Sequence, residues 1–197
     1  MISPSRFELI QKNHGQYASW AVWADEGSKP KDNIGDLSIF EVQNRKALLN
    51  QLNPNVILVG LNISRRLLKP FGNFHDARPH AMDFKLRYAL KGTSLWGGYM
   101  TDIIKDFEQK ASGKMMDYLR RNKDFELANV VKFRQELRDL GDLNVDKPTI
   151  FAFGNDAFKV LDRNLGDEFT VIKLPHYSKY ISKEGYRAEI QSIIAEL

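Results

Sequence analysis

Apolar residues fall along this chain in two registers. Four short stretches are apolar almost without interruption: Val56–Val59 within Asn55-Val-Ile-Leu-Val-Gly-Leu-Asn62, Tyr99-Met-Thr-Asp-Ile-Ile104, Pro148-Thr-Ile-Phe-Ala-Phe-Gly154 and Phe169-Thr-Val-Ile-Lys-Leu174. A run of this length between turn formers predicts a strand buried on both faces, where neither face tolerates a polar side chain. Between the strands, apolar positions recur every three or four residues. Val42, Leu48, Leu49 and Leu52 predict a helix opened by the capping box Ser38-Ile-Phe-Glu41. Another helix is expected within Pro79–Leu90. Leu127, Val130, Leu137 and Leu140 mark an amphipathic helix that Gly141 ends. Asp156 to Leu165 reads as helix, and a last one from about Ser182 carries Ile190, Ile193, Ile194 and Leu197 on one stripe. Strands alternating with helices define an α/β class: a central, mainly parallel four-stranded sheet covered on both faces.

Residues 1–37 break this rhythm. Phe7, Leu9 and Ile10 suggest a short helix, and Tyr17, Trp20, Val22 and Trp23 form an aromatic cluster. The segment is expected to be an N-terminal flap over the core, and Asp25 to Asp36 a loop. No repeat or composition break divides the chain, so residues 1–197 are expected to form one domain.

Composition narrows the chemistry. The chain is 43% hydrophobic and 27% charged, which argues against disorder. The absence of cysteine excludes disulfides, thiolate-bound zinc and iron–sulfur clusters. A net charge of +4 permits an anionic partner. No apolar run is long enough to cross a bilayer, and the N-terminus lacks a signal-peptide pattern, so a cytoplasmic protein with no membrane partner is expected.

Candidate chemistry lies at the strand ends. In an open parallel sheet, ligands bind beyond the carboxyl ends of the strands. Asn62 is the first polar side chain past the first predicted strand; His176 and Ser178 follow the last, in Pro175-His-Tyr-Ser-Lys-Tyr180. The topology brings both loops to one edge, where they face a common crevice. Ile63 to His75 adds cations, aromatics and turn formers. The glycines of Lys91-Gly-Thr-Ser-Leu-Trp-Gly-Gly98 do not precede a Lys-Ser/Thr, so this is not a phosphate loop. His75, Asp76 and His80 offer too few ligands for a metal centre, and none is expected.

Four segments, in order, resemble the motifs of the uracil-DNA glycosylase superfamily. Val59-Gly-Leu-Asn-Ile-Ser64 is similar to its first motif, a Gly-x-Asn or Gly-x-Asp ending the first strand. Gly98-Tyr-Met-Thr-Asp-Ile-Ile-Lys105 resembles the middle segment of the mismatch-specific members. Thr149-Ile-Phe-Ala-Phe-Gly-Asn-Asp-Ala157 resembles the strand–Gly–helix unit before the last motif, and Pro175-His-Tyr-Ser178 the last motif, usually His-Pro-Ser. The resemblance implies a three-layer α/β/α sandwich. It implies a cofactor-free monomer that hydrolyses the bond between a flipped-out, uracil-like deaminated or damaged base and deoxyribose in single- or double-stranded DNA. Asn62 would hold the attacking water and His176 would donate to the leaving base. Gly60, Ser64, Phe71, Phe74, Thr101, Asp102 and Ser178 would contact the substrate, with Phe74 or Phe71 stacking on the base. Arg65, Arg66, Lys179 and Tyr180 would meet the DNA backbone, the last two where the family places its duplex wedge. Ile63 and Tyr177 stand where the family has prolines, and Asp102 where uracil readers place an asparagine. These departures define the alternative: the same fold holding nucleic acid or a nucleotide without excising a base.

Overall fold

The computed structural model describes residues 2–65, 67–105, 107–141 and 147–197. Their strands form one sheet: β1 (Ser19–Trp20), β2 (Asn53–Asn62), β3 (Gly98–Ile104), β4 (Thr149–Phe153) and β5 (Val171–Leu174), in the spatial order β1-β3-β2-β4-β5. The β3, β2, β4 and β5 pairings are parallel, and β1 pairs antiparallel with β3. The sheet thus has five strands, where the apolar runs predicted four. Ser19 and Trp20 escaped the pattern because two residues make no periodicity.

Alternation along the strands sorts side chains into two cores. Ile57, Val59, Tyr99, Ile103, Ile150 and Ala152 face one side. There they pack against α1 (Pro4–His14), α4 (Ser112–Arg121), α5 (Lys123–Leu140) and α6 (Gly154–Leu165). Leu58, Met100, Phe151 and Phe153 face the other, against α3 (Asp83–Leu90) and α7 (Lys183–Ala195). Helices on both faces make this a three-layer α/β/α arrangement.

The first 37 residues are more than a flap. Phe7, Ile10 and Trp20 are fully buried, and Trp20 meets Tyr99 of the central sheet edge-on at 5.1 Å between ring centroids. The capping box is also corrected. Ser38–Phe40 and Val42–Asn44 are short 3-10 turns, and α2 spans only Arg45–Leu49. The Ser38 amide donates to Asp36 Oδ1 at 2.9 Å, forming a local turn that competes with a helix start. Residues 112–140 are two helices meeting at Asn122, and α3 begins at Asp83, later than Pro79.

Parallel pairing carries the C-terminal ends of β2, β3, β4 and β5 to one edge. Neighbouring strands lie about 4.8 Å apart, so β2 and β5, flanking β4, end about 10 Å apart. The loops beyond this edge hold nearly every residue of interest.

Candidate active site at the carboxyl edge of the sheet

Asn62 is the last residue of β2 and is half-buried. Its Nδ2 donates to three backbone carbonyls: Ile63 at 2.8 Å, Phe107 at 3.1 Å and Gln109 at 2.8 Å. Three acceptors at one end fix which end of the amide carries nitrogen. The side chain thereby pins the segment after β3 to the end of β2. Its Oδ1 makes no hydrogen bond among the described residues and remains an acceptor.

His176 lies just past β5. Its ring stacks on Tyr177 (4.4 Å, 19°), while its Nδ1 lies 2.7 Å from Ser178 Oγ and accepts from the Ser178 backbone N–H at 3.1 Å. A backbone N–H can only donate, so Nδ1 is unprotonated and the ring proton sits on Nε2. Burial of the ring face lowers the His176 pKa below its ordinary value. The N-terminus of α6 lies close by and, as the positive end of the helix dipole, also disfavours imidazolium. Gly154, which opens α6 at φ +85°, permits that approach: a Cβ there would lie 3.2 Å from the His176 Cβ.

The two loops meet through aromatic side chains. Tyr177 packs edge-on against Phe74 (6.3 Å, 68°) and against Phe153 at the end of β4 (5.7 Å, 85°). Phe74 and Phe71 both sit at φ 60°, a conformation that costs a bulky residue on the order of 1–2 kcal/mol. Phe74 is held at the site against that strain. Phe71 is directed elsewhere, fully buried against Phe7 and Phe40, so it offers no base platform.

Asp102 of β3 faces the same aromatic group. It is buried, its Oδ2 accepts from Asn73 Nδ2 at 2.8 Å, and its Oδ1 lies against Gly60, where any Cβ would collide with it. This explains the glycine in β2: the carboxylate occupies its side-chain space. Loss of solvent raises the Asp102 pKa to about 6, partly offset by the Asn73 hydrogen bond. Asp83, at the start of α3, is also buried. It accepts from the Asp76 N–H at 2.7 Å, and burial raises its pKa to about 7. Burial, followed by the Asp83 and Asp102 charges, pushes the Tyr177 phenol well above its usual value.

Thr101 points to the opposite face. It is fully buried and accepts from Lys105 Nζ at 2.5 Å, away from the crevice. Ser64 is exposed beside Arg65, whose guanidinium lies 3.6 Å from Asp76. Arg66 lies outside the described residues. Lys179 pairs with Glu189 at 2.6 Å, and Tyr180 is fully exposed. Lys85 of α3 fixes this loop, donating to the carbonyls of Lys179 (2.9 Å) and Ile181 (2.7 Å).

Asn73, Asp83 and Lys85 were not expected at the site. Asp83 and Lys85 looked like the ordinary polar positions of a helix. Only Asn73, amid Phe-Gly-Asn-Phe, carried a signal, because turn-forming residues between aromatics mark a constrained loop.

Comparison of the chain with protein-family models, with curated protein sequences and with solved structures finds no match.

Proposed function

We propose that the protein is a monofunctional, cofactor-free DNA glycosylase acting on a flipped-out, deaminated or damaged base. The observation that carries this reading is the state of His176. A neutral imidazole, its Nδ1 satisfied by Ser178 and its proton on Nε2, suits donation to the oxygen of a departing base anion. About 10 Å away in the sheet direction, Asn62 presents an amide oxygen that can orient a water toward the sugar. An amide positions water but is a poor base, so the leaving group's departure carries most of the barrier lowering. Phe74 is buried as well, at 4% exposure behind Tyr177, so it presents a stacking face only when Tyr177 moves aside.

One observation favours the alternative, a nucleic-acid-binding module without excision. Tyr177 already packs on Phe74 and Phe153, in the space a stacked base would take.

An excision assay separates the two. The purified protein is incubated with oligonucleotides carrying uracil, hypoxanthine and other lesions, and alkali-labile sites are counted. Base release that Asn62→Ala removes supports the glycosylase. Retained binding without release from any lesion, by both wild type and Tyr177→Ala, supports the module.

A further inference from the structure

Beside the proposed active edge, three helices border an open hollow. Its volume is about 280 Å³, and it is lined by Met116 and Arg120 of α4, Lys123 of α5, and Asp156, Lys159 and Arg163 of α6. Each helix contributes a cation to the same space. Glu126 holds Arg163 through two hydrogen bonds (2.7 and 2.5 Å) and approaches Lys123 at 3.4 Å, while Asp117 takes Arg120 on the same helix. Lys159 has no carboxylate partner among the described residues, and Asp156 is the one acid in the wall.

The N-terminus of α5 adds positive field to this hollow: Lys123, its first residue, lines the wall and no side chain caps the helix, whereas α6 contributes Asp156 of its first turn and turns Gly154 toward His176. Lys123 is the first residue of α5, where a cation opposes the dipole, although Asp124 and Glu126 follow it. Helix stability alone would place an acid or a capping residue there. Glu126 already lies between Arg163 and Lys123, and Asp117 beside Arg120, so Lys159 is the cation of this space without a carboxylate partner among the described residues, and its charge meets an entering anion.

We infer that the α4–α5–α6 hollow is a phosphate-binding track that takes the backbone of a nucleic acid strand alongside the carboxyl edge of the sheet. Arg163, fixed by Glu126, is the preset anchor; Lys159 and Arg120 close on the phosphates from opposite walls. Asp156 limits the affinity of any single phosphate, which suits a track that a polymer crosses and leaves. The inference deepens the nucleic-acid reading above but does not require base excision.

The test is a salt titration of binding to labelled single-stranded and duplex oligonucleotides, comparing wild type with Arg120→Ala/Lys159→Ala. Both side chains are exposed, so the variant is expected to fold. Loss of two phosphate contacts lowers the slope of log affinity against log salt by about 1.4 on a single strand or about 1.8 on a duplex. Affinity falls about tenfold near 0.15 M salt. The arm showing its predicted slope change identifies the form of nucleic acid held. A Lys12→Ala/Lys46→Ala control removes the same charge from α1 and α2. An equal loss in the control means the effect is net charge alone and overturns the inference, as does an unchanged slope in the test variant or no nucleic-acid binding by wild type. Binding lost in the test variant without excision by wild type keeps the track and removes the glycosylase; excision and binding indifferent to the variant do the reverse.

Discussion

Two successive residues of β3 show how differently this fold treats buried polar groups. Thr101 faces the α5 side, within a closed network. Lys105 Nζ reaches Thr101 Oγ1 at 2.5 Å and Glu136 at 2.6 Å, and the Tyr99 hydroxyl donates to Glu136 at 2.5 Å. Asp102 faces the α3 and α7 side. Its hydrogen bond comes from the neutral Asn73, and Asp83 is held by a backbone N–H. On one face a cation neutralises the acid. On the other, burial meets the acid without a contacting cation, and proton affinity rises instead. The first arrangement fixes a structure. The second leaves groups able to change protonation near neutral pH, which makes them candidates for chemistry.

The largest test of this contrast is on the closed side. Lys105→Ala leaves Glu136 charged and buried, with a loss of about 3–5 kcal/mol in unfolding free energy measured with denaturant. Replacing both Lys105 and Glu136 by methionine should restore only part of it, since this removes the unpaired charge but leaves the buried Tyr99 and Thr101 hydroxyls without their partners. A single variant as stable as wild type would show that the network holds nothing together.

Asn62 comes next, because it belongs to both kinds of region. Its nitrogen is a structural pin, and its oxygen is the proposed water ligand. Asn62→Ala should reduce base release by at least about 100-fold while costing only about 1–2 kcal/mol of stability. Asn62→Asp separates the roles further. It sets a carboxylate oxygen against the carbonyls of Ile63, Phe107 and Gln109, so it should destabilise more than alanine does. Greater stability for the aspartate variant would mean the amide is not oriented as described.

The pH dependence of stability is a cleaner probe. The folded Asp83 pKa of about 7 lies above its ordinary value of 3.8. The folded state therefore binds the proton more tightly, and the stability so gained is fully present below about pH 4 and lost as pH rises through about 7. Asp102 acts in the same direction, between 3.8 and about 6. These shifts correspond to a fall on the order of 4 kcal/mol through Asp83 and on the order of 3 kcal/mol through Asp102. Asp83→Asn can still accept the Asp76 N–H, so it should flatten the upper part of that slope and be the more stable protein at pH 8. Parallel curves for variant and wild type would place Asp83 in water.

The contrast also explains what the sequence made legible. The parallel strands were visible because burial on both faces leaves an unmistakable apolar run. Asn62 and His176 stood out because they are the first polar side chains after such runs. The two faces of β3 were not separable: Thr101 and Asp102 are adjacent, and only pairing to β2 shows which side each takes. Trp20 reads as part of a flap over the core and Phe71 as a stacking residue because their partners, Tyr99 and Phe7, are distant in sequence. The short-range capping rule failed at Ser38 because Asp36 was the nearer competitor.

The smallest expected effect tests the state of His176 itself. Ser178 acts on Nδ1 through both its hydroxyl and its backbone N–H, and Ser178→Ala removes only the first. The remaining N–H still requires an unprotonated Nδ1, so the proton should stay on Nε2. Nitrogen chemical shifts of a labelled imidazole would report this directly. Because burial lowers the folded pKa below the ordinary 6.5, His176 supports stability above that pH and loses it as pH falls. Losing one exposed hydroxyl should change that by less than about 1 kcal/mol. A variant whose Nδ1 becomes protonated near neutral pH would show that the hydroxyl sets the tautomer. It would also show that the backbone amide is too weak a constraint to hold the donor the proposed reaction needs.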